Sequence, residues 1–210
     1  MNRRVLMSVI GVCVSGISVG MFRHAAFGVD PFQSLMSGLD AAIPIGFGTL
    51  YVIVNAVLLL FALFTDRRRI GIATFINLFL LGYIAEYSQI LFARLLPGSG
   101  SAARFVLLIA AIVLLCLASS FYITADLGVS TYDAIALVWA SRQKRIPFAV
   151  CRVITDGICV MLGIALCRCS GYTWARIGGV VGIGTVITAF FMGPLIEWFN
   201  VHAARKFLAR

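Results

Sequence analysis

Six apolar runs follow one another along the chain: Val5 to Phe22, Gly46 to Phe64, Ile70 to Phe92, Phe105 to Thr124, Pro147 to Leu166 and Trp174 to Phe199. A helix needs about 20 such residues to cross roughly 30 Å of hydrocarbon, and helices are favoured there because they satisfy their own backbone groups. The expected fold class is an all-α membrane protein with six transmembrane helices, and its first partner is the lipid bilayer. Only 12% of the residues are charged, against about one quarter in a soluble domain. The first run resembles a signal peptide, but it exceeds the usual 7 to 15 or so apolar residues, and Arg23-His24 stands where a small cleavage residue belongs. It is expected to be a retained span.

The net charge of +9 could suggest nucleic acid, yet the basic residues lie in short clusters between apolar runs instead of forming one patch. No nucleic-acid partner is expected. With the N-terminus inside, Arg3, Arg4, Arg67, Arg68, Arg69, Arg142, Lys144, Arg145, Arg205, Lys206 and Arg210 fall on the cytoplasmic side. Arg23, Arg94, Arg104, Arg168 and Arg176 fall outside, and Arg152 is left within a span. Eleven inside against five outside places both termini in the cytoplasm by the positive-inside rule.

The chain also echoes itself. Gly28-Val29 returns as Gly128-Val129 at an offset of 100, and Asn55 aligns with Asp156 at 101. At 102, Ala73 aligns with Ala175 and Gly82 with Gly184. Each copy reads as span, Gly-Val turn, short segment, span, loop, span. Three spans per copy is odd, so the second copy enters the membrane from the opposite face, an inverted-topology repeat of the kind found in transporters. The expected division is residues 1–99 and 100–210 within one integral membrane domain.

The short segments have helix starts built in. Asp30 is a favoured N-cap, Pro31 suits the first helical position, and Gln33 completes a capping-box pattern. Ser130 caps the second segment with Asp133 at the reciprocal position, beside Thr131. Phe32, Leu35, Met36 and Leu39 make one apolar stripe, and Tyr132, Ile135, Ala136 and Trp139 repeat it. Gln33, Ser34, Ser37 and Asp40 are expected to make the first helix polar behind its stripe. The helices, at 30–41 and 130–141, are about 17 Å long, half a bilayer. Each is either an interfacial connector or a re-entrant half-helix whose start faces a central cavity. Because Asp30 and Asp133 already serve the free N–H groups, such starts suit a cation, a proton or a neutral hydrogen-bonding solute better than a carboxylate or phosphate.

Polar residues at depth mark candidate sites. Asn55 and Asp156 each lie nine residues into their spans, about 14 Å deep, from opposite faces. Arg152 can pair with Asp156 at i, i+4, as packing glue or as the group that keeps Asp156 ionised along a solute or proton path. Asn77 fits helix-to-helix hydrogen bonding or solute contact equally. Glu86, about 24 Å into its span, is expected near the outer interface, snorkelling or solvated. Gly178, Gly182 and Gly184, with Gly16 and Gly20, are expected to let helices approach closely. The six cysteines read as small apolar fillers. No catalytic grouping, metal or cofactor is expected.

The motifs together resemble the bacterial YczE/YyaS/YitT group of small multi-pass membrane proteins. The resemblance rests on Gly28-Val29-Asp30-Pro31-Phe32, Phe47-Gly48-Thr49 with Asn55, Arg69-Ile70-Gly71-Ile72-Ala73-Thr74, Gly128-Val129-Ser130-Thr131-Tyr132-Asp133, Arg152 with Asp156, and Gly182-Ile183-Gly184-Thr185 with Gly193-Pro194. It implies a protein of the bacterial cytoplasmic membrane and brings no settled activity with it. Two expectations follow from the residues. One is a permease or channel-like carrier for a small solute or ion; the other is a non-transporting accessory that holds a partner through Ser141 to Arg145. Assembly as a homo-oligomer is left open.

Overall fold

The computed structural model describes residues 3–65, 67, 70–142 and 148–209. The expected basic residues Arg68, Arg69, Lys144, Arg145 and Arg210 and the expected span start Pro147 lie outside them, as does most of the segment from Ser141 to Arg145. The described chain is helical: α1 Arg3–Ala25, α2 Pro31–Ala42, α3 Phe47–Thr65, α4 Ile72–Leu95, α5 Ser101–Ala125, α6 Thr131–Arg142, α7 Phe148–Cys169, α8 Trp174–Val180 and α9 Ile183–Phe199, a π-helical turn Asn200–Ala204 and α10 Arg205–Ala209. Six stretches are long and apolar enough to cross a membrane. Their outer faces carry exposed Val57, Phe64, Val106, Met161 and Phe190, with Phe64 84% exposed. Such a girdle is costly in water and at home against lipid tails.

α1 is the central post, packed between α4 and α5. Its small residues set the distance: a Cβ on Gly16 would press on Ile84, one on Gly20 on Ser88, and one on Gly11 on the Ala118 carbonyl. Lipid tails are as apolar as the helices, so close van der Waals contact of this kind carries helix association. The same device joins α2 to α7, where Gly38 meets the Gly163 backbone and Gly163 meets Ser34. Gly178 has nothing within 4 Å of a Cβ position, which corrects the packing role expected of it.

The sixth span is not continuous. It breaks between Val180 and Ile183 because the loop after α1 docks there: Gly28 and Val29 donate to the carbonyls of Gly179 and Val180 at 3.0 Å, and Gly184 donates to Phe27 at 2.8 Å. The loop after α5 makes the matching contact at the start of α4, with Ala73 donating to the Leu127 carbonyl at 3.0 Å. In both places a threonine hydroxyl stands three residues after the glycine and accepts its N–H, Thr74 for Gly71 at 3.3 Å and Thr185 for Gly182 at 3.2 Å. Gly71 and Gly182, 111 residues apart, thus hold the same local arrangement.

Candidate functional site

The two short helices start at the centre of the molecule. Asp30 caps α2, accepting the Gln33 N–H at 3.2 Å, and Pro31 opens the helix. Ser130 caps α6 in the same way, accepting the Asp133 N–H at 3.1 Å while its hydroxyl donates to the Asp133 carboxylate at 2.6 Å. The Gln33 side chain does not complete the expected capping box: its Oε1 is buried without a partner. Nor is α2 polar behind its stripe toward solvent, since Gln33 and Ser34 are buried with Phe32 and Met36. α7 covers that face.

Where the starts converge, the Phe32 and Tyr132 rings stack with centroids 4.8 Å apart, and Tyr51 of α3 meets Phe32 edge-on at 6.1 Å. Beside the stack lie the residues expected at mid-depth. Thr131 donates to Asn55 Oδ1 at 2.5 Å, and Asn55 donates to the Tyr51 carbonyl one turn earlier at 2.8 Å. Tyr132 donates to Asp156 Oδ1 at 2.5 Å. Asn55 and Asp156 each stand eight residues after the first residue of α3 and α7, about 12 Å along the axis.

Arg152 ties the acids together. Its guanidinium pairs with Asp133 and reaches Asp156 at 3.3 Å, lying over the Tyr132 ring at 4.6 Å from the centroid. Asp30 lies within electrostatic reach of both Arg152 and Asp156. One guanidinium therefore pairs with two carboxylates, a surplus of negative charge that a cation or a proton would relieve. The side chains differ in access: Asp156 is 11% exposed, Arg152 30% and Asp133 35%.

Of the sequence candidates, the structure gathers Asn55, Arg152, Asp156, Asp30, Ser130, Thr131 and Asp133 at this centre. Asn77 belongs to its margin, accepting from the Tyr51 hydroxyl at 3.2 Å as a link between α3 and α4. Glu86 does not join it. Its carboxylate accepts the Gly48 N–H at 2.9 Å and so serves the N-terminus of α3, where the helix dipole favours negative charge. Tyr132, Phe32 and Tyr51 complete the centre; the sequence marks Phe32 and Tyr132 only as members of apolar stripes, and the phenol in the residue after Thr131 is the signal that points further. Among the described residues no three His, Cys, Asp or Glu converge to hold a metal ion.

Residues 2–201 match a family described as "Family of unknown function (DUF6198)". The chain belongs to this family. Within reach of it, the DUF6198 chain is similar to the uncharacterized protein YyaS of Bacillus subtilis strain 168, 20% identical over 201 residues that cover 96% of this chain and 94% of that one. It is also 25% identical over 194 residues to an uncharacterized protein of Haemophilus influenzae, covering 91% of this chain and 81% of the relative. This accords with the YyaS-type resemblance of its motifs. No solved structure matches the chain.

Proposed function

We propose that this DUF6198 protein is a small-solute or ion permease of the bacterial cytoplasmic membrane, with both termini in the cytoplasm and its polar site at the bilayer midplane. The observation that carries the reading is the convergence of two helix starts, Phe32 on Tyr132, beside Asn55 and Asp156. Irregular backbone survives in hydrocarbon only where protein or a water-filled cavity surrounds it, and broken helices with polar groups at mid-depth mark solute and ion sites in transporters. The matching contacts of Phe27-Gly28 and Leu127-Gly128 support a construction from two inverted repeats, 1–99 and 100–210, with α2 and α6 as half-bilayer helices entering from opposite faces.

The lining sets the class of cargo. One guanidinium paired with two carboxylates suits a cation, a proton or a neutral hydrogen-bonding solute, with Thr131, Asn55 and Tyr132 as the groups that exchange hydrogen bonds with it. Passage requires the Phe32–Tyr132 stack to part. Each ring rides on a short helix that leads within a few residues into a span, α2 into α3 and α6 into α7, so tilting one short helix would open one side at a time.

The test is flux. Purified protein in liposomes carrying an internal pH dye or radiolabelled solutes is expected to move protons, a monovalent cation or a small neutral solute above protein-free liposomes, and Asp156→Asn to reduce that flux at least tenfold while eluting as folded protein. Background flux across the whole panel, together with a cellular phenotype indifferent to Asp156→Asn, would sink the reading in favour of an accessory role.

A further inference from the structure

A second polar site lies away from the centre, at the end of the molecule where α1 and α4 finish and α5 begins. A cavity of about 510 Å³ opens there, with Arg23, Arg104 and Arg176 in its wall beside Asp40, Gln89 and Tyr172. Three guanidiniums face one carboxylate, the reverse of the balance at the centre. Arg23 is the fixed member: its Nε donates to Gln89 Oε1 at 2.5 Å, its Nη2 to Asp40 at 2.8 Å, and its plane lies over Phe47 at 3.8 Å. These contacts use two of its three nitrogens. Nη1 is buried and has no partner.

Arg104 is held by the Ala25 carbonyl at 2.8 Å and lies over Phe27 at 5.4 Å, and Arg176 lies over Tyr172 at 4.6 Å. Among the described residues neither pairs with a carboxylate. An adjoining hollow of about 260 Å³ is shared by Arg23, Asp40, Gln89 and Glu86, but the Glu86 carboxylate is engaged by Gly48 N–H. A buried guanidinium nitrogen left unpaired is destabilising, and arginines presented without acids are the usual partners of planar or tetrahedral oxyanions.

We propose that this cavity is a binding site for an oxyanion, a carboxylate or phosphate group taken by Arg23 with Arg104 and Arg176 closing around it. The group belongs either to a free solute or to the headgroup of an anionic lipid, and the site stands whether or not the centre transports anything.

Binding is the readout. Protein purified in a neutral detergent is titrated with inorganic phosphate and with succinate against chloride at equal ionic strength, by calorimetry and thermal shift, and in parallel with short-chain phosphatidylglycerol. Arg176→Gln and the double variant Arg104→Gln/Arg176→Gln are compared, since Arg176 is exposed and Arg23 also anchors Asp40. Saturable binding that weakens about tenfold for the single variant and further for the double supports the site. If phosphate or succinate binds, the source is a free solute; if only phosphatidylglycerol binds, it is a lipid. Equal affinities in wild type and double variant, or no saturable binding by any of the three probes, would overturn the proposal.

Discussion

Tyr132 does two things with one side chain. Its ring stacks on Phe32 and its hydroxyl serves Asp156. Tyr132→Phe separates them, keeping the stack and removing the donor. A hydrogen bond to a charged group contributes about 1.5–3 kcal/mol, and Arg152 still reaches the same oxygen, so the variant is expected to unfold at a moderately lower temperature than wild type in the same detergent, and, on the permease reading, to lose flux. Arg152→Gln removes the cation shared by Asp133 and Asp156. Breaking a fully buried pair costs about 3–5 kcal/mol, but Arg152 is 30% exposed and water screens part of that, leaving an expected loss of about 1–2 kcal/mol. The second change Asp156→Asn should recover part of it in the double variant. A double-mutant cycle by chemical unfolding in mixed micelles checks this: additive losses would show that the two groups do not act on each other.

At the next level up, the two loops that follow α1 and α5 hold short helices to long ones through backbone alone. Gly28 and Gly128 have φ of 102° and 114°, and a Cβ on either would stand 2.6 or 2.5 Å from the backbone nitrogen of Gly182 or Gly71. Both demands exclude a side chain. Gly28→Ala and Gly128→Ala are each expected to destabilise by about 1–3 kcal/mol or to abolish accumulation in the membrane. Gly178→Ala, with open space at its Cβ, should stay within about 0.5 kcal/mol of wild type. Thermal melts of the three variants side by side decide the matter, and equal losses at all three would refute it. The helix bounds were mostly legible beforehand: α2 begins where the Asp30-Pro31 signature places its start. The break in the sixth span was not, because apolar length says nothing about which carbonyl a neighbouring loop will bring to Gly182.

Taken as a whole, the protein has an acid-rich centre and an arginine-rich cavity at one end. On the proposed orientation, with both termini in the cytoplasm, that cavity lies on the outer face. If so, a C-terminal green fluorescent protein fusion should fluoresce in the cytoplasm, and a cysteine introduced at Ser101, the exposed first residue of α5, should react with a membrane-impermeant maleimide in intact cells after outer-membrane permeabilisation. Labelling only after lysis would reverse the orientation.

Apolar spans, caps and positions along a helix are legible in the chain because each depends on local order: apolar length, a capping side chain three residues from its N–H, a count of 1.5 Å steps to Asn55 and Asp156. That the starts of the two short helices meet is seen only in the Phe32–Tyr132 stack. An amphipathic stripe fits an interface or a protein interior equally well, and only the burial of Gln33 and Ser34 against α7 tells them apart. The pairing of Arg152 on α7 with Asp133 on α6 and the assembly of Arg23, Arg104 and Arg176 around one cavity are contacts between distant segments. No periodicity in the sequence encodes them, because they arise when separate helices, each satisfied along its own backbone, pack side by side.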